Sequence, residues 1–84
     1  MSKKVIIYTG SFCGYCSAAL RLLKSKNVNW EEIKVSSAPD LRAEMEQRSG
    51  RHTVPQIFIG DQHVGGYDDL ADLEQRRELD AMLA

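Results

Sequence analysis

Apolar, mostly β-branched side chains run unbroken from Val5 to Tyr8, and Thr9, Gly10 and Ser11 then end the run. A strand covered on both faces has this form. Over residues 14–26 the period changes: Cys16, Ala19, Leu20 and Leu23 fall at i, i+3, i+4 and i+7, while Arg21, Lys24 and Lys26 take other faces. That spacing predicts an amphipathic helix ending near Asn27. Ile33 and Val35 next alternate with Glu32 and Lys34, which predicts a half-exposed strand over 30–35. Two strands joined by a helical crossover are expected to be parallel.

Ser37-Ala38-Pro39-Asp40 has the form of a capping box, with Pro39 early enough in the first turn to lose no helical hydrogen bond. A second helix should follow, with Leu41 and Met45 as its apolar positions and Gly50 as its C-terminal cap. Residues 51–53 then read as a connector. Residues 54–59 read as a strand whose Pro55 lies among the first residues, where a missing amide donor is tolerated. Gly60-Asp61 suits a two-residue turn into a short strand over 62–64. After Gly65-Gly66, the carboxylates of Asp68 and Asp69 suit the positive end of a last helix with Leu70 and Leu73 on one face. The polar run 74–78 predicts a break before final turns that bury Leu79, Met82 and Leu83. Together these elements predict an α/β chain: a four-stranded mixed sheet flanked by helices.

At 84 residues, the chain is expected to be a single domain, 1–84. Its 11 Lys and Arg nearly cancel its 12 Asp and Glu, for a formal net charge of −1, so nucleic acid is not an expected partner. With 43% hydrophobic and 27% charged residues it has the composition of a chain that folds unaided. The apolar stretch near the N-terminus is too short for a signal-peptide core or for the ~20 residues of a membrane span, so no membrane and a cytoplasmic location are expected.

Only two cysteines occur, Cys13 and Cys16. In a reducing compartment a close pair points to catalysis or metal before a structural staple. Cys13-Gly14-Tyr15-Cys16 falls between the first strand and the first helix, so Cys13 meets the unpaired amides and the dipole of a helix N-terminus, which favour a thiolate. Three-residue spacing brings the second sulfur to the same side of that turn. At a pKa of about 8.5 roughly 3% of a thiol is thiolate at pH 7, and at about 5 nearly all of it is. Nucleophilicity falls with basicity, by a Brønsted slope of about 0.4 to 0.5, and removes most of that gain. The benefit lies in the next step, because the same sulfur leaves faster from a mixed disulfide. A zinc site would have to recruit His52 and His63, whose spacing is too wide for a zinc-finger pair. Both histidines read more naturally as surface or hydrogen-bonded structural groups.

With this CxxC, Thr53-Val54-Pro55 before the third strand and Gly65-Gly66-Tyr67-Asp68-Asp69 at the last helix, nearly the whole chain resembles the glutaredoxin family, in particular small bacterial dithiol members. The resemblance implies a thioredoxin-like fold, a cis peptide before Pro55 and glutathione as co-substrate. It implies glutathione contacts from Tyr15, Thr53, Val54, Pro55, Gly66, Tyr67 and Asp68, with Arg42 reaching the glycyl carboxylate. Many family members carry Lys where this chain has Gly10, and most dithiol members carry Pro where it has Gly14.

The implied activity is glutathione-dependent reduction of protein disulfides and glutathione mixed disulfides, with Cys13 as nucleophile and Cys16 as resolving thiol. The expected partners are glutathione and disulfide-bonded or glutathionylated proteins, and a monomer is expected. No metal belongs to that reading. The alternative, prompted by Gly14, is a dimeric carrier or sensor holding a [2Fe-2S] cluster through Cys13 and glutathione.

Overall fold

The structure, a computed structural model, describes residues 3–84. Its elements run β1 (Val5–Thr9), α1 (Gly14–Ser25), β2 (Trp30–Lys34), α2 (Pro39–Ser49), β3 (Gln56–Ile59), β4 (Gln62–Gly65), α3 (Tyr67–Gln75) and α4 (Leu79–Leu83). The sheet order is β2-β1-β3-β4. As the helical crossover requires, β1 and β2 are parallel, with Ile7 opposite Glu32. β3 runs antiparallel to β1 and to β4, with a register shift between Ile57 and Phe58 in the latter pairing.

Strand alternation divides the interior in two. Val5 and Ile7 of β1 and Ile57 and Ile59 of β3 face a larger core with Ala19 and Leu23 of α1, Leu70 of α3 and Leu79 and Leu83 of α4. Tyr8 and Phe58 face the opposite side, where they meet Met45 of α2 and Val35. The central strands are therefore buried on both faces, while the edges β2 and β4 carry the polar residues.

Tyr8 brings a hydroxyl into the smaller core, and α2 satisfies it. The phenol donates to Glu44 Oε2 at 2.6 Å and accepts from Arg48 Nη1 at 2.7 Å. Burial and the Glu44 contact both push the Tyr8 pKa up, so the phenol stays protonated. On the larger core, the expected break falls between α3 and α4, where Arg77 takes φ 58°. Lys26 ties the pieces, with Nζ 2.6 Å from Glu74 and 3.0 Å from Asp80, and those bonds raise its pKa.

The structure corrects three details of the pattern. α2 is capped at Ala38 with no side-chain hydrogen bond, so Ser37 makes no capping box. Leu41 stays 37% exposed, leaving Met45 to anchor that helix. β3 begins at Gln56 and lies inside the sheet. Val54 and Pro55 are in the loop before it, because a proline cannot join the ladder of a central strand.

Candidate functional site

Thr9 ends β1 at the sheet edge toward which parallel β2 also points, and residues 10–12 turn the chain into α1. Ser36 Oγ holds that turn by accepting from Ser11 N at 2.6 Å. Phe12 takes φ 54°, and Cys13 follows in extended conformation as the N-cap of α1. In place of the usual oxygen, Cys13 Sγ accepts from Cys16 N at 3.1 Å. The four residues of the first turn carry no carboxylate to oppose negative charge on that sulfur. Cys13 and Cys16 are joined as a disulfide with a Cα–Cα distance of 5.2 Å. Cys13 is half-buried and Cys16 is only 3% exposed, so a reagent reaches the first sulfur before the second.

Opposite the pair lies the loop before β3. The Val54–Pro55 peptide is cis, and the Val54 carbonyl oxygen is 3.8 Å from Cys13 Sγ. Gln56 braces this loop from beneath. Its side chain is 0% exposed, and Nε2 donates to Thr53 O at 3.0 Å and to Thr53 Oγ1 at 3.2 Å. Since Thr53 O can only accept, the amide orientation is fixed and Oε1 faces His63 Nε2 at 2.8 Å. His63 must therefore carry its proton on Nε2. Burial first, and the charge of Arg51 second, lower the His63 pKa and favour the neutral ring.

A groove of about 330 Å³ runs from this loop to the start of α3. Tyr15 and Tyr67 wall it, their ring centroids 6.3 Å apart. Thr53, Val54 and Pro55 line one side and Gly66, Tyr67 and Asp68 the other. Gly66 is the N-cap of α3 and has no side chain to cap with, so Asp69 reaches back instead, Oδ2 accepting from Gly66 N at 3.0 Å. That hydrogen bond, with the guanidinium of Arg51 at 3.0 Å, holds the Asp69 pKa below the usual aspartate range.

All the ligand-binding residues expected from the sequence except Arg42 thus meet around one groove. Arg42 does not line it: Nε lies 3.3 Å from Glu46 and Nη2 donates to His52 O at 2.5 Å. The cation in the groove is Arg51, which the sequence placed only in a connector. The zinc reading finds no geometric support, since no three His, Cys, Asp or Glu side chains gather as a metal site among the described residues.

A glutaredoxin family model matches residues 5–64. A glutaredoxin of Pseudomonas aeruginosa is 50% identical over 80 residues, covering 95% of each chain. The chain belongs to the glutaredoxin family. The solution structure of a Brucella melitensis glutaredoxin superposes with a TM-score of 0.86 at 54% identity, over 98% of this chain and 89% of that one. A buckwheat glutaredoxin in complex with glutathione gives 0.84 at 30% identity, over 94% and 74%. Family membership makes the fold thioredoxin-like and the chain a glutathione-dependent thiol-disulfide oxidoreductase.

Proposed function

We propose that Cys13 is the nucleophile, that Cys16 is the resolving thiol, and that glutathione binds in the groove between Tyr15 and α3. The peptide backbone of glutathione pairs with the Val54 amide and carbonyl, as an added strand would. Its γ-glutamyl carboxylate takes the free amides of Tyr67 and Asp68 at the start of α3, and Asp68 receives its ammonium group. Tyr15 flanks the sulfur. Arg42 reaches the glycyl carboxylate only by giving up Glu46.

With a glutathione mixed disulfide, the Cys13 thiolate attacks the glutathionyl sulfur and the partner thiolate leaves. A second glutathione thiolate then attacks that sulfur, releasing oxidised glutathione and the Cys13 thiolate. With a protein disulfide, Cys13 takes one client sulfur and releases the other. Cys16 gives up its proton and displaces the bound client by forming the Cys13–Cys16 bond, and two glutathiones restore the dithiol. Residues 1–84 act in this reading as one domain, a monomer, in the cytoplasm; among the described residues no helix is long and apolar enough to cross a membrane.

Cys13 at a helix N-cap carries the proposal, because the Val54 carbonyl 3.8 Å from its sulfur belongs to a residue that lines a groove offering free amides and a cation. Limited alkylation of the reduced protein near pH 6, mapped by mass spectrometry, should label Cys13 first, and Cys13→Ser should abolish both activities. Labelling of Cys16 first would reverse the roles. Iron and sulfide retained after reconstitution with glutathione would assign Cys13 to a cluster instead.

A further inference from the structure

β1 lies between β3 and β2, so the cysteines at its end have two flanks. Pro55 and the glutathione groove lie on the β3 flank. A second depression of about 370 Å³ lies on the β2 flank, lined by Cys13 and Cys16 but sharing no lining residue with the first. Phe12 and Leu20 are its large apolar side chains. Glu32 of β2 is the one charged side chain among the described residues that line it, and Glu32 Oε2 accepts from the buried Thr9 hydroxyl at 2.7 Å.

Phe12 is hard to explain by folding. Its ring is fully exposed, and its φ of 54° lies in the left-handed region that bulky side chains rarely adopt. The chain thus accepts an unfavourable backbone conformation at a residue whose ring packs on nothing in the interior. Such residues collect at functional sites. Glutathione does not fit this flank well: it carries two carboxylates, and here it would meet a fixed carboxylate and, among the described residues that line the depression, no cation.

We propose that this second groove receives the polypeptide around the reactive cysteine of a disulfide-bonded client, with an apolar side chain against Phe12 and Leu20 and a lysine or arginine toward Glu32. The inference rests on Cys13 as nucleophile. Phe12 and Glu32 then select among client sequences while glutathione uses the other flank. The chemistry is the route already given: one peptide disulfide and two glutathiones yield two peptide thiols and oxidised glutathione.

The test uses two disulfide-linked peptide homodimers, each chain holding one cysteine, flanked by Leu and Lys in one peptide and by Ser and Glu in the other. The wild-type protein should reduce the Leu/Lys peptide with a kcat/KM about fivefold or more higher, as burial of one apolar side chain and one exposed ion pair allow. Phe12→Asn keeps a residue that tolerates positive φ and should lower kcat/KM for the Leu/Lys peptide about three- to tenfold. Glu32→Gln should reduce the preference about two- to fivefold. Turnover of the mixed disulfide of glutathione and 2-mercaptoethanol should stay within about twofold in both variants, since an exposed side chain outside the glutathione groove contributes little to it. Equal rates on the two peptides with the wild-type protein, or equal losses on peptide and mixed disulfide in the variants, would overturn the proposal. Absence of mixed-disulfide turnover by the wild-type protein would instead overturn the assignment of Cys13, and this proposal with it.

Discussion

A Cβ placed on Gly10 would lie 3.0 Å from Ser36 Oγ and 3.1 Å from Val54 Cγ2. Ser36 holds the turn before Cys13, and Val54 is the residue proposed to pair with glutathione, so a side chain here presses on both. Lysine at this position adds a cation that a nearby carboxylate could use, worth about 0.5 to 1.5 kcal/mol at a partly exposed site. Crowding costs about 1 kcal/mol. Gly10→Lys should therefore lower the KM for glutathione by less than about tenfold and lower the melting temperature as well. An unchanged melting temperature would show that the turn relaxes freely. Gln56→Leu removes the brace under Thr53 and should raise the KM for glutathione severalfold more than it lowers kcat. Asp69 adds a pH effect. Its folded pKa is depressed, so its contribution to stability is present above the unfolded pKa of about 4 and is lost as pH falls through the lower folded value. The melting-temperature gap between wild type and Asp69→Ala should be full at pH 6 and narrow progressively below pH 4, whereas a gap that widens on acidification would contradict the assignment. The cysteines were legible because their partners are neighbours in sequence. Arg51 and Gln56 were not, because what each does depends on Asp69 and His63, which lie on other elements.

At the scale of elements, the apolar run of β1, the alternation in β2, the helical spacing of α1 and the Gly60-Asp61 turn before β4 located those elements, and the polar run after Leu73 located the break before α4. The boundaries that moved are those decided by a single hydrogen bond or by a neighbour in space. A shift of one residue put Ala38 rather than Ser37 at the N-cap of α2, and this leaves the first-turn amides without a side-chain acceptor. Ala38→Ser should supply one and raise stability by about 0.5 to 2 kcal/mol, seen as a higher urea midpoint with unchanged slope. No gain would mean that water already serves those amides as well. Val54 read as strand because it is β-branched and followed by an apolar run. Its exclusion from β3 follows from the position of that strand inside the sheet, which the linear pattern does not disclose.

At the scale of the molecule, the fold brings three chain segments far apart in sequence to one end of the sheet: the turn before α1, the loop before β3 and the start of α3. Their joint motif pattern made this assembly legible. The groove on the β2 flank was not, because Phe12 and Glu32 belong to no shared motif and meet only through the parallel pairing of β1 and β2. The chemistry rests on a division of labour between a sulfur at the helix N-cap and a buried sulfur one turn later. Release of glutathione from Cys13 needs only a second glutathione, whereas release of a bound protein is helped by an intramolecular thiol of higher effective concentration. The decisive measurement is kcat/KM of Cys16→Ser, against wild type, on the mixed disulfide of glutathione with 2-mercaptoethanol and on a disulfide-bonded protein. Activity on the mixed disulfide should survive within about threefold while activity on the protein falls by about a hundredfold, and equal loss or equal retention on both substrates would contradict the account.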